Sequence, residues 1–231
     1  MKTKIFITKH LEYGTALTGL GDMTGNSTEF MHSSDKFKLV LFTGGEDVTP
    51  ILYGETSPNG LCRYNTVRDR TESAYFKHAL MHGIPMVGIC RGLQFINVMA
   101  GGRMIHHMTG HVNGYHDFGC QKNDKIIRVN SMHHQMVIPP KDALIVGWSV
   151  DKLAPEYFGD EDKKIQWPGP EVEAVIYPTI NACGVQYHPE MMSPDTEGYT
   201  FFYNMVAHLL DYTMDVFTRV YTGKMEAFNV V

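Results

Sequence analysis

Apolar residues fall in short runs separated by polar or glycine-containing turns. Ile5 to Thr8 and Lys38 to Phe42 are β-branched or apolar, and the second run breaks off at Thr43-Gly44-Gly45. Both read as buried strands. From Asp69 to His82 the pattern becomes helical, with Asp69-x-x-Glu72 as a capping box and Gly83 just past the end. A strand over Met86 to Ile89 follows, then a turn at Cys90 and a helix over Arg91 to Met99 stopped by Gly101-Gly102. This rhythm of strand, helix, strand and helix predicts a mostly parallel sheet covered on both faces. Further strands are expected at Lys125 to Val129, Leu144 to Ser149, Val172 to Ile176 and Cys183 to Tyr187. Phe201 to Leu210 repeats its apolar positions at helical spacing, behind a polar start near Pro194-Asp195, and predicts a terminal helix on the sheet. Asp151 to Pro170 is rich in charge, Pro and Gly and reads as an exposed insertion loop.

A chain of 231 residues suits one substantial domain, 1–231, better than two. With 20 Lys and Arg against 25 Asp and Glu, the net charge of -5 argues against a phosphate-driven nucleic-acid binder. Small molecules or proteins are the expected partners. The absence of an eighteen-residue apolar run and of a secretory N-terminal pattern predicts no membrane association and a cytoplasmic protein. Cys62, Cys90, Cys120 and Cys183 have no regular spacing, so reduced thiols are expected rather than a disulfide framework.

Cys90 is bracketed as Gly88-x-Cys90-x-Gly92 between a strand and a helix. A buried structural thiol, a metal ligand and a nucleophile on a sharp turn are the three readings. The paired glycines favour the nucleophile, because a tight elbow has no room for side chains two positions away. At a helix N-terminus, unpaired N–H groups and the dipole favour the thiolate. In Gly184-Val185-Gln186-Tyr187-His188-Pro189-Glu190 the imidazole and carboxylate stand two apart on an extended chain and share a face. A carboxylate can hold one ring nitrogen as N–H and leave the other to take a thiol proton. Oxyanion donors are expected from the backbone of Arg91 and of the Gly44-Gly45 turn. A metal site from His106, His107, His133, His134 and a cysteine is disfavoured, since adjacent histidines on a strand point apart.

Five blocks in order now carry a family resemblance: Phe42 to Glu55, Arg68-Asp69-x-x-Glu72, Gly88 to Gly102, Ser131-x-His133-His134-Gln135 and Gly184 to Glu190. Together the chain resembles the class I glutamine amidotransferase-like superfamily, closest to its γ-glutamyl hydrolase branch, which includes γ-glutamyl-γ-aminobutyrate hydrolases. The resemblance implies a three-layer α/β/α sandwich with a flavodoxin-like core and a Cys90, His188 and Glu190 triad. It also implies an oxyanion hole at Gly45 and Arg91, within a turn that includes Gly44. Gln94 and the backbone around His133 and His134 are expected to contact the ends of a glutamyl group. The implied reaction is hydrolysis of a small γ-glutamyl amide through a thioester, releasing glutamate, without cofactor or metal. Arg91 points to the hydrolase branch. The alternatives are a glutaminase subunit passing ammonia from glutamine to a synthetase partner, and a non-catalytic binding protein on the same scaffold. A homodimer is also left open. Asp69 and Glu72 match the family, but a helix cap is taken as enough to explain them.

Four departures from the family stand out. Only about thirty residues separate the first strand from Leu39, which predicts a smaller sheet or a more open pocket on that side. Thr43 replaces a usual proline, and His106-His107 replaces a usual Gln-Asp. The acidic loop from Asp151 to Pro170 replaces what is often a tight turn.

Overall fold

The computed structural model describes residues 2–223 except 122 and 168. Nine strands form one sheet: β1 (Lys4–Ile7), β2 (Asp22–Thr24), β3 (Phe37–Phe42), β4 (Met86–Ile89), β5 (Gly114–Cys120), β6 (Asn123–Ser131), β7 (Leu144–Ser149), β8 (Val172–Tyr177) and β9 (Ala182–Val185). Their spatial order is β2-β1-β3-β4-β9-β8-β7-β5-β6. The first five in that order are mutually parallel, and the last four extend the sheet antiparallel. Parallel neighbours need long crossovers, and the helices of the first half supply them.

The helices are α1 (Ser27–His32), α2 (Thr66–Met81), α3 (Arg91–Met99), α4 (Glu197–Asp211) and α5 (Met214–Thr222). Strand alternation separates the two cores. Ile5, Leu39, Leu41, Val87 and Ile89 face one side, where Phe202, Met205 and Val206 of α4 and Phe217 of α5 pack. Phe6, Val40, Phe42 and Met86 face the other, against Phe30 of α1, Phe76 and Ala79 of α2 and Leu93 and Ile96 of α3. The result is the predicted three-layer sandwich. Among the described residues, no helix is long and apolar enough to cross a membrane.

The structure corrects three expectations. The stretch before Leu39 holds both β2 and α1, the latter capped by Asn26 Oδ1 on Glu29 N–H, so the sheet is not truncated there. Three residues of strand and six of helix suffice for the crossover. Helix α2 begins at Thr66, and its cap is Asn65, whose Oδ1 accepts from Arg68 N–H. Asp69 and Glu72 are therefore helix-interior and serve no capping box. The segment 151–170 is not a free loop: Tyr157–Phe158 pairs with His107–Met108 and with Lys164–Ile165, and Ala154, Tyr157 and Asp162 are buried. Its acidic residues are anchors, with Asp162 accepting from Ser57 Oγ and Asn59 N–H. The predicted strand over Lys125 to Val129 is one arm of a long hairpin whose partner, β5, has too many Gly, His and Asp residues to read as a strand.

Strand register fixes where chemistry can occur. Leu41 and Cys183 both stand opposite Val87, and Val185 stands opposite Ile89. Strands β3, β4 and β9 thus release their chains at one carboxyl edge, as Thr43-Gly44-Gly45, Cys90 and Gln186 to Glu190. Ligand crevices form at such an edge in parallel sheets.

Candidate active site

Cys90 is the turn between β4 and α3 and has φ 53° and ψ -112°, a conformation that residues with a Cβ rarely adopt. Strain of this kind costs about 1–3 kcal/mol and persists only where its surroundings impose it. They do so here. Cys90 N–H donates to Val185 O at 2.8 Å and Cys90 O accepts from Gln94 N–H at 3.2 Å. A Cβ on Gly88 would run into the backbone of Gly92 and Leu93, and one on Gly92 would run into the carbonyl of Phe42. The glycine bracket is thus a packing requirement between β3, β4 and α3. Arg91 occupies the first position of α3, where the N–H has no intrahelical acceptor.

His188 leaves β9 with its backbone clamped on both sides by one side chain: Asn130 Oδ1 accepts from His188 N–H and Asn130 Nδ2 donates to His188 O, both at 2.8 Å. Its Nδ1 lies 2.6 Å from Glu190 Oε1, which leaves Nε2 as the free ring nitrogen. Burial alone would lower the imidazole pKa. The proximity of Cys90 on one side and of the Glu190 carboxylate on the other outweighs it and raises the pKa to about 10. The three predicted side chains therefore form one constellation, with imidazolium favoured between sulfur and carboxylate.

The Gly44-Gly45 turn abuts this group. A Cβ on Gly44 would sit 3.2 Å from His188 Cε1 and would collide with the Tyr13 hydroxyl. Gly45 has φ 133°, and a side chain there would collide with Arg68. Arg68 holds the turn, donating from Nη2 to Thr43 O at 2.8 Å and from Nη1 to Glu46 Oε2 at 2.9 Å. A cavity of about 370 Å³ bordered by Tyr13, Gly44, Gly45 and Glu190 opens beside the turn. That volume suits a small metabolite.

A buried ion cluster lies beneath the turn. Arg91, 1% exposed, sends its guanidinium to Asp69 and Glu72 of α2, and Arg68 Nε donates to Glu72 Oε1 at 3.1 Å. Asp69 Oδ2 also accepts from Thr49 N–H at 2.9 Å, and Glu72 Oε1 from the Thr8 hydroxyl at 2.9 Å. The two arginines thus face Asp69 and Glu72 inside the protein and Glu46 at its half-exposed edge. This cluster ties the first residue of α3 and the Gly44-Gly45 turn to one helix.

Gln94 is buried and its amide donates over long distances, 3.5 Å to Gln135 O and 3.4 Å to Gln186 Oε1, so contact with a ligand requires exchanging these bonds. His134 is half-buried, with Nε2 3.1 Å from Asp47 Oδ1 and Nδ1 3.1 Å from His107 Nδ1. His133 points elsewhere, its Nδ1 donating to Gln135 O at 2.9 Å. His106 reaches Glu55 at 2.8 Å, so the four-histidine set does not converge.

Tyr13, Arg68 and Asn130 were not anticipated as site residues. Arg68 stood in a recognised block, and Asn130 was signalled only by being a strand-disfavoured amide beside Ser131-x-His133-His134. Tyr13 carries no local signal. Burial, then the charges of Glu190 and Cys90, raise the Tyr13 phenol, which keeps it a neutral donor beside the site.

With this geometry in view, the likenesses to known proteins are specific. The pattern of the peptidase C26 family matches residues 22–190. A Lactococcus lactis protein named as glutamine amidotransferase-like protein YvdE is 31% identical over 188 residues, 73% of this chain and 71% of its own. A Schizosaccharomyces pombe protein named as a glutamine amidotransferase is 29% identical over 65% of this chain and 61% of its own. Among solved structures, a candidate GMP synthase subunit from Thermoplasma acidophilum superposes with TM-score 0.60 at 18% identity, covering 92% of this chain and 96% of that one. A glutamine amidotransferase from Methylobacillus flagellatus superposes with TM-score 0.52 at 12% identity, covering 100% and 98%.

Proposed function

The chain belongs to the peptidase C26 family, within the class I glutamine amidotransferase-like superfamily, and on that premise we propose that it hydrolyses the γ-glutamyl amide bond of a small γ-glutamyl compound. The observation that carries this reading is His188 held by Glu190 at Nδ1 with Nε2 left for the sulfur of a strained, glycine-bracketed Cys90.

In the proposed reaction the Cys90 thiolate attacks the γ-carbonyl carbon. A C–S bond forms as the carbonyl π pair moves onto oxygen, which the N–H groups of Gly45 and Arg91 stabilise. Collapse breaks the C–N bond, and the departing amine takes a proton from the His188 imidazolium. Water then attacks the thioester while His188 removes its proton. The C–S bond breaks, glutamate leaves, and the thiolate and imidazolium return. Glu190 keeps the proton on Nδ1 throughout, and Asn130 fixes the ring by its backbone.

The names borne by the curated relatives favour a second reading, in which glutamine itself is the substrate and its ammonia passes to a synthetase. One panel separates the two: glutamine, γ-glutamyl amines and γ-glutamyl peptides, each assayed for glutamate release. Turnover of γ-glutamyl amines by the chain alone, abolished in Cys90→Ala with thermal stability retained, is the expected result. Activity confined to glutamine and raised by a synthetase supports the second reading. Turnover that survives Cys90→Ala removes the nucleophile from both.

A further inference from the structure

Below the hairpin that carries Asn130 lies a second cluster, formed by His111, His116, His133, Glu171 and Glu173, all buried. Glu173 Oε1 is 3.4 Å from His111 Nδ1, 3.4 Å from His116 Nε2 and 3.3 Å from His133 Nε2. None of these approaches has hydrogen-bond geometry: both Glu173 oxygens, both His116 ring nitrogens and His133 Nε2 are buried without a hydrogen-bond partner. Buried polar atoms are rarely left so.

The surroundings decide where the ring protons sit. His133 Nδ1 is 2.9 Å from Gln135 O, which only accepts, so Nδ1 carries the proton and Nε2 presents a lone pair. His111 Nε2 is 2.9 Å from Glu171 Oε2, whose carboxylate also accepts from Leu153 N–H, Ala154 N–H and the Tyr157 hydroxyl. That nitrogen carries the proton, and Nδ1 presents a lone pair. The Ser131 hydroxyl, 3.2 Å from His111 Nδ1, directs its single hydrogen to His111 O at 2.9 Å. With both rings neutral, two lone pairs thus face a carboxylate oxygen inside the protein, an arrangement that repels unless a further ring proton or a metal cation lies between them.

The spacing fits an ion. Ligands at about 2.0–2.1 Å from a tetrahedral centre stand about 3.3–3.4 Å apart, as Glu173 Oε1 does from His111 Nδ1 and His116 Nε2. Ligand atoms of His111, His116 and Glu173 all lie within 4.8 Å of one another. The hydrogen bond from His111 to Glu171 is of the kind that orients a metal-bound imidazole.

We propose that this cluster is a binding site for a divalent transition-metal ion of the Zn(II) class, ligated by Glu173, His111 and His116, with His133 packed against the same carboxylate. It shares no ligand with the set disfavoured from sequence. Three protein ligands leave a fourth position for a water. The ion would pin β5 to β8. The inference does not depend on the proposed reaction.

The test uses the full chain, carrying Cys90→Ala to remove a competing thiol, purified without metal-affinity resin and stripped by chelator dialysis. Zn(II) is titrated against a chromogenic chelator, and Co(II) binding is followed in the visible spectrum. One equivalent is expected to bind and to raise the thermal midpoint, with a four-coordinate Co(II) spectrum free of thiolate charge transfer. Glu173→Gln and, as the milder change, His116→Ala are each expected to weaken binding by about 10-fold or more, whereas His134→Ala leaves it unchanged. Absence of a tight equivalent, affinity unchanged in both variants, or a thiolate band in the Co(II) spectrum would overturn the site. The Co(II) spectrum of the parent decides even if Glu173→Gln does not fold.

Discussion

Glu190→Gln is the sharpest probe of the constellation, because it changes one oxygen for an NH2 in a 2.6 Å contact and leaves shape almost intact. In the folded protein the His188 imidazole is raised from 6.5 to about 10 by Cys90 and Glu190, against burial. That rise corresponds to about 5 kcal/mol in favour of the imidazolium, at about 1.4 kcal/mol per pH unit. Without the carboxylate the variant should lose part of that preference, at about 1.4 kcal/mol for each unit by which its midpoint falls below about 10. The sign follows from linkage: a raised folded pKa contributes stability that is complete below pH 6.5 and is lost as pH rises through about 10. The variant should therefore show a shallower loss of stability over that window. Solution NMR of the His Cε1–H resonances, with His188→Gln to identify the signal, reads the midpoint directly and needs no substrate. Turnover should fall by about 10³–10⁴, as expected when a base loses its tautomer-fixing carboxylate. A His188 midpoint unchanged in Glu190→Gln would refute the electrostatic argument, whatever happened to activity.

Arg91→Met should destabilise by about 3–5 kcal/mol in urea unfolding, since it leaves Asp69 and Glu72 buried with one cation fewer; an effect under about 1 kcal/mol would mean that the cluster is solvated. Gly92→Ala should cost about 1–3 kcal/mol or more, because the new Cβ meets the Phe42 carbonyl, and a Tm equal to the parent's would contradict the packing account of the elbow. Asn130→Ala removes both bonds to the His188 backbone, each of about 0.5–1.5 kcal/mol; kcat should fall about 10-fold or more with little change in KM. His106 is raised from 6.5 to about 10, with Cys62 and Glu55 bonding overcoming burial. Stability should therefore decline as pH rises from 6.5 towards 10, and His106→Gln should flatten the urea midpoint between pH 6 and pH 9.

The parallel half of the fold was legible because its signals are local. Val87 to Ile89 is apolar on both faces, as a central strand must be, and its glycine-bracketed end has one good physical reason. The antiparallel half was less so, since β5 (Gly114–Cys120) alternates buried His116 and Phe118 with Gly and Asp and looks like a loop until its partner is known. Asp69 and Glu72 show the limit most clearly. Their spacing suits a cap, but the spacing that places them one helical turn apart also lets both reach Arg91 from the side. Only the tertiary packing of α2 against α3 tells the two uses apart. Tyr13 and Asn130 reach the site from elements distant in sequence, and no periodicity points to them.

The buried ion cluster also explains why the turn chemistry can be strained without the elbow relaxing. Cys90 holds φ 53° only because β4 cannot shift and α3 cannot slide along it. Backbone bonds to Val185 and Gln94 resist the first movement, and the guanidinium of Arg91, fixed to two carboxylates on a sixteen-residue helix, resists the second. Arg68 on that same helix holds the opposing turn by Thr43 O and Glu46. Helix α2 thus acts as a shared strut: the two backbone N–H groups proposed for the oxyanion are borne by segments that it connects through Arg68 and Arg91. Disturbing Glu72, which touches both arginines, should therefore loosen both donors together, so its effect on kcat should exceed the product of the separate losses caused by weakening either arginine contact only if the donors act on one oxyanion.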